Sequence, residues 1–277
     1  MTRVLLFVLI GITVIIYLLL FAVSKVTLPA QSPPGIEQGI GEIQNLLGLP
    51  VALPFAFSRL LPGIGTLLAI ILVASSMGNE YNWRTIRTML ICSEGRLRLL
   101  GAKLISAGIF ILIGMVVGLA TAFVMSLLTT AIGGYAFDFS FATGGYWWDQ
   151  FLQFWRTFYV IMPYALLGFL FAIVGRSAMP GIALGAGVLF LESIITAIMY
   201  TAGGWIAQIP DYLLTANVSA IANVNKFLQD VGLGELGTTV GFGQLPGVPH
   251  AFITLAIYSL VFLIVAFYLF RKRDVTG

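Results

Sequence analysis

Long uncharged runs alternate along this chain with short segments that carry nearly all of its charge. A backbone crossing lipid must satisfy its own polar groups, so an uncharged run of about 20 residues predicts a membrane-spanning helix. Six runs qualify: 4–23, 60–78, 104–130, 157–175, 177–200, interrupted by Glu192 alone, and 251–270. The pattern therefore predicts an all-α, polytopic membrane protein, one domain over residues 1–277 with six transmembrane helices. Between the first two runs, residues 25–59 include Pro33, Pro34, Pro50 and Pro54 and are too broken by proline for one continuous span. The first run is too long for the core of a secretory signal peptide, and no small-x-small site closes it, so a span is expected there.

Composition sharpens this reading. Hydrophobic residues make up 59% of the chain and charged residues 9%, against about a quarter charged in a soluble domain. A water-soluble globule is excluded. The single cysteine, Cys92, excludes an internal disulfide framework, and together with the single histidine, His250, it leaves no cysteine-cluster or multi-histidine metal site. No metal is expected. A net charge of +3 is small for a nucleic-acid partner, so the placement of charge carries the information. With the N-terminus inside, ten of the fourteen basic residues fall on the cytoplasmic side: Arg3, Arg84, Arg87, Arg96, Arg98, Lys103, Arg176, Arg271, Lys272 and Arg273. Lys25, Arg59, Arg156 and Lys226 fall outside, with most of the acids. The positive-inside rule then predicts two cytoplasmic termini in a cell membrane.

The aromatic cluster Tyr135, Phe137, Phe139, Phe141, Tyr146, Trp147 and Trp148 predicts a belt at headgroup level rather than a binding platform. No H-E-x-x-H, G-x-S-x-G or phosphate-loop pattern occurs, so neither enzymatic activity nor nucleotide hydrolysis is expected of this chain. Three candidate features remain: the cytoplasmic loop, one acid inside a span, and a long outer segment.

The loop 79–103 joins the second and third runs. On a helix, Trp83, Ile86 and Leu90 share one face while Arg84, Arg87 and Thr88 lie mostly off it, which predicts a short amphipathic helix broken at Ser93-Glu94-Gly95. Such a helix either rests on anionic headgroups or docks a cytoplasmic partner. The order Glu80, Thr85, Arg87, Leu90, Arg96 and Lys103, directly after the second of six spans, resembles the permease subunit of the type-2 ABC exporter family. The ending Phe270-Arg271-Lys272-Arg273-Asp274-Val275 is similar to the basic ending after that family's last span. Arg84 stands where the family's pattern has glycine, and only Thr2 and Arg3 precede the first run after Met1, where the family has a surface helix.

That resemblance implies that Glu80, Trp83, Thr85, Arg87 and Leu90 form a coupling helix seated in a cleft of a separate ATPase subunit. It implies Mg-ATP on that partner and no cofactor in this chain. It also implies a second permease chain, identical or different, with the translocation path between the two. The scarcity of charge in the spans points to an apolar or amphipathic cargo. A passive channel or a structural membrane subunit of a larger complex is the alternative.

Glu192 is the one ionisable residue deep in a run, about 22 Å above its inner end at 1.5 Å per residue. An isolated carboxylate at that depth is costly, so a partner is expected, Arg156 first and Arg59 second. Glu192 then either locks helices together or takes part in moving substrate or protons. In the outer segment 203–250, Leu214, Val218, Ile221, Val224 or Asn225, Leu228 and Val231 recur at helical spacing, predicting one or two amphipathic helices at the outer interface. Resemblance implies that these cap the exit route; a rigid lid is the plainer reading. His250 is expected at the headgroups, and Gly114 and Gly118 form a small-residue face suited to packing within the chain.

Overall fold

The computed structural model describes residues 2–25, 43, 46–82, 96–133, 139–224 and 245–272. Among these the chain is helical, and no strand occurs. Six helices are long and apolar enough to cross a membrane: Arg3–Ser24, Leu49–Tyr81, Leu97–Gly133, Gly144–Gly175, Ala178–Ala202 and Val248–Lys272. The protein is thus an all-α, multi-pass membrane protein.

Three spans begin well before the uncharged runs that announce them. The second starts at Leu49 rather than 60, the third helix at Arg96 rather than 104, and the fourth at Gly144 rather than 157. Apolarity ends at Arg59, Lys103 and Arg156, but Arg, Lys and Gln are good helix formers, so the helices continue through them. The third helix has 38 residues and is about 57 Å long at 1.5 Å per residue, against a hydrocarbon core of about 30 Å. It therefore projects beyond the bilayer.

The fourth span is the centre of the bundle, and the second and fifth pack on it. The first, fifth and sixth lie at the periphery with apolar side chains such as Phe7, Leu191 and Ile257 facing outward, as lipid contact requires. Close approach at the centre depends on glycine. A Cβ on Gly181 would lie 2.7 Å from the Gly168 carbonyl oxygen, and one on Gly185 would lie 2.7 Å from Ile70 Cγ2. The Gly114 and Gly118 face meets Leu6 and Leu9 of the first span, so it serves packing within the chain.

The second span is built in three pieces: α-helix over Leu49–Phe55, a π-helix over Ala56–Gly65, and α-helix over Thr66–Asn82. Its prolines explain how residues that looked too proline-rich to cross join a helix. Pro54 has no N–H for the Pro50 carbonyl four residues back, and the Tyr146 hydroxyl donates to that carbonyl at 3.0 Å instead. Within the π stretch, Pro62 has no N–H to offer the Phe57 carbonyl five residues back, and Thr157 Oγ1 donates to that carbonyl at 3.4 Å. Both replacement donors belong to the fourth span. Tyr146 is accordingly buried rather than a member of the interfacial belt, whereas Trp147 and Trp148 are exposed as a belt requires.

The fourth helix ends at Arg176, whose φ of 51° is left-handed, and Ser177 starts the fifth by accepting the Met179 N–H at 3.4 Å. Beyond Gly203 the chain forms a 3₁₀ helix over Gly204–Tyr212 and an α-helix over Leu214–Ala222. The second of these does not lie at the outer interface as its sequence spacing predicts. Leu214, Val218 and Ile221 pack against Val160, Tyr164 and Leu255 of the fourth and sixth spans. Ala216, Asn217, Ala220 and Ala222 are buried as well, so the helix is buried nearly all round and enters the core. The predicted continuation through Leu228 and Val231 lies outside the described residues.

Candidate functional site

At one end of the bundle, the second and third spans flank the loop that carries the expected coupling helix. Glu80, near the end of the second span, forms an ion pair with Lys103 on the third, and the Lys103 ammonium also donates to the Ser76 carbonyl at 3.2 Å. The two side chains are only 13% and 14% exposed, so the pair is shielded from water, where such contacts are worth more than at an open surface. The loop is thus held at both flanks by one contact. Glu80 Oε2 is buried with no donor among the described residues. Trp83, Thr85, Arg87 and Leu90 lie outside the described residues, as does the break at Ser93-Glu94-Gly95.

At the opposite end, Glu192 is buried at 8% exposure. Its partner is not Arg156. Glu192 Oε1 accepts the Thr215 N–H at 3.1 Å, and Oε2 accepts the Tyr164 hydroxyl at 3.1 Å. Arg156 instead donates to Gln153 Oε1 at 3.4 Å, one helical turn away on its own span. Arg59, weighed second, makes no ion pair or hydrogen bond with another described residue. The physical reason lies in the helix Leu214–Ala222. Its first backbone N–H groups need acceptors, and its N-cap, Leu213, has no side-chain oxygen. Glu192 supplies that oxygen from the neighbouring span, where the positive end of the helix dipole also favours a carboxylate. Glu192 therefore caps this helix from the fifth span.

Around this contact runs a polar network that ties the outer helices to the spans. The Tyr164 hydroxyl also pairs with Thr215 Oγ1 at 2.9 Å. Asn217 Nδ2 donates to the Asp211 and Leu213 carbonyls at 2.8 and 2.6 Å. His250 Nε2 contacts the same Asp211 carbonyl at 3.0 Å, which ties the start of the sixth span to the 3₁₀ helix Gly204–Tyr212. The Tyr200 hydroxyl donates to Asp211 Oδ1 at 3.2 Å, and Gln153 Nε2 to the Ala222 carbonyl at 3.3 Å. Of these residues, sequence reasoning singled out Glu192 and His250 and missed Tyr164, Thr215 and Gln153. One signal was available: a helix opening at Leu214 without Ser, Thr, Asp or Asn before it requires a remote acceptor, and Glu192 is an acid in need of donors.

The chain belongs to the family described as "Protein of unknown function (DUF2705)", whose model matches residues 36–276. It is similar to "Uncharacterized protein YhcI" of Bacillus subtilis (strain 168), at 25% identity over 219 residues that cover 76% of this chain and 64% of that protein. The chain thus spans just under two thirds of the length of that relative. No solved structure matches it.

Proposed function

We propose that this chain is the permease subunit of an ATP-binding-cassette transporter in a cell membrane, coupled through residues 79–103 to a separate ATPase subunit that carries Mg-ATP. Two permease chains, alike or different, would enclose a path for an apolar or amphipathic cargo, with both termini cytoplasmic. The observation that supports this reading best is the Glu80–Lys103 ion pair at the flanks of the loop. A partner gripping Trp83, Thr85, Arg87 and Leu90 would pull on two spans locked to each other, so movement of the loop would move the bundle instead of being absorbed by a slack connection. The third helix, long enough to project beyond the bilayer, gives that pull a lever. Nucleotide binding shifts the permease between conformations only if the ATPase grips them unequally, and flanks paired to each other would make the grip depend on the spans.

Affinity-tagged chain expressed in its native host should retain an ATPase subunit through purification, and the Glu80→Ala, Arg87→Ala double variant should lose it. Equal retention by the parent and the double variant would count against the reading.

A further inference from the structure

We infer that the cleft around Arg59 is a binding site for a phosphate-headed membrane lipid, with Arg59 and Ser58 taking the phosphate and the apolar wall taking an acyl chain. The cleft has a volume of about 370 Å³ and lies between the π-helical part of the second span, the fourth and fifth spans and the helix Leu214–Ala222. That volume falls within the range of about 300–1,000 Å³ typical of ligand pockets.

Two of its groups lack partners among the described residues. Arg59 makes no ion pair or hydrogen bond with another described residue. Ser58, 3% exposed, keeps a buried Oγ with no hydrogen-bond partner among the described residues. A guanidinium and a hydroxyl are both donors, and an anionic oxygen group satisfies the two together. Tyr164 and Thr215 also line the cleft, but their hydroxyls are engaged with each other. Leu67, Leu189, Phe190 and Val218 form an apolar wall beside the donors. Phe190 is exposed on the outside of the fifth span, so the cleft reaches the periphery of the bundle, where lipid lies.

Depth selects the same class of ligand. Arg59 precedes Glu80 by 21 positions on one continuous span, roughly 30 Å at 1.5 Å per residue. That is the thickness of a hydrocarbon core, so with Glu80 near one headgroup layer Arg59 stands near the other, at the level of lipid phosphates. A soluble anion would not use the apolar wall, and a neutral lipid would leave Arg59 and Ser58 unmet. The inference does not rest on the transporter reading, because lipid retention is measured on the purified chain without an ATPase.

The test is native mass spectrometry of the detergent-purified chain titrated with phosphatidylglycerol, with diacylglycerol and inorganic phosphate as the other arms. Phosphatidylglycerol should be retained, diacylglycerol should not, and millimolar inorganic phosphate should fail to displace the lipid. Arg59→Gln should weaken retention about tenfold or more, the loss expected for a charge-assisted hydrogen bond, whereas Lys272→Gln at the other end of the bundle should not. If Arg59→Gln does not fold, Leu189→Trp fills the cleft while keeping the arginine and should expel the lipid. Unchanged retention in either cleft variant, an equal loss in Lys272→Gln, equal retention of diacylglycerol, or displacement by free phosphate would overturn the inference.

Discussion

The Tyr164 hydroxyl donates to Glu192 Oε2 at 3.1 Å, and because Glu192 Oε1 holds the Thr215 N–H, one carboxylate joins the fourth span, the fifth span and the helix Leu214–Ala222. Glu192→Gln keeps a side-chain oxygen that can still accept from Thr215 and should remain close to the parent in stability. Glu192→Leu leaves that N–H unmet and should cost about 1–3 kcal/mol, the penalty for a buried donor without a partner. Reversible denaturant titration of the detergent-solubilised protein measures both. A leucine variant as stable as the parent would show that the cap is dispensable.

The Tyr146–Pro50 contact makes a prediction about non-additivity. Tyr146→Phe removes the hydroxyl that serves the Pro50 carbonyl and should destabilise the bundle by about 1 kcal/mol. Pro54→Ala restores a backbone N–H four residues after that carbonyl, so the tyrosine change should cost less in that background. The double-mutant cycle should show coupling of about 0.5 kcal/mol or more. Strict additivity would mean that the hydroxyl acts through packing alone.

Glycine at the crossing of the fourth and fifth spans should be irreplaceable, while a neighbouring glycine should not. In Gly181→Ala the new methyl meets the Gly168 carbonyl oxygen at 2.7 Å, backbone that cannot swing aside, and the expected loss is about 1–3 kcal/mol. Gly187 has open space around its Cβ position, so Gly187→Ala should leave stability unchanged or raise it by up to about 1 kcal/mol through helix propensity. Melting temperatures of the two variants give the comparison, and similar losses in both would refute the close-approach account.

Exchanging the charges at the loop flanks separates an ion pair from mere proximity. Glu80→Lys and Lys103→Glu should each lower stability and weaken ATPase retention, and the exchanged pair should recover part of the stability, with a coupling of about 1 kcal/mol. Raised salt should diminish the recovery only partly, because the two side chains are largely shielded. Absence of any recovery in the exchanged pair would leave the clamp without energetic content.

Much of the fold was legible in the sequence because solvation by hydrocarbon acts on each residue separately. An uncharged run of sufficient length must be helical in lipid whatever lies beside it, so the six spans follow from the order of residues alone. The ends of those spans were not legible to the same extent. Arg59, Lys103 and Arg156 end an apolar run without ending a helix, and the reversal at Arg176 is fixed by backbone geometry.

What the tertiary structure decided is which polar groups meet. Glu192 announced a need for a partner, but its donors are a backbone N–H 23 positions ahead and a tyrosine 28 positions behind, where charge pairing alone suggested Arg156. The Pro50 carbonyl finds its donor 96 positions away. A buried hydrogen-bonding group must be satisfied, which one residue can reveal. The group that satisfies it is whichever donor the packing of helices brings within about 3 Å, and that is a property of the assembled bundle.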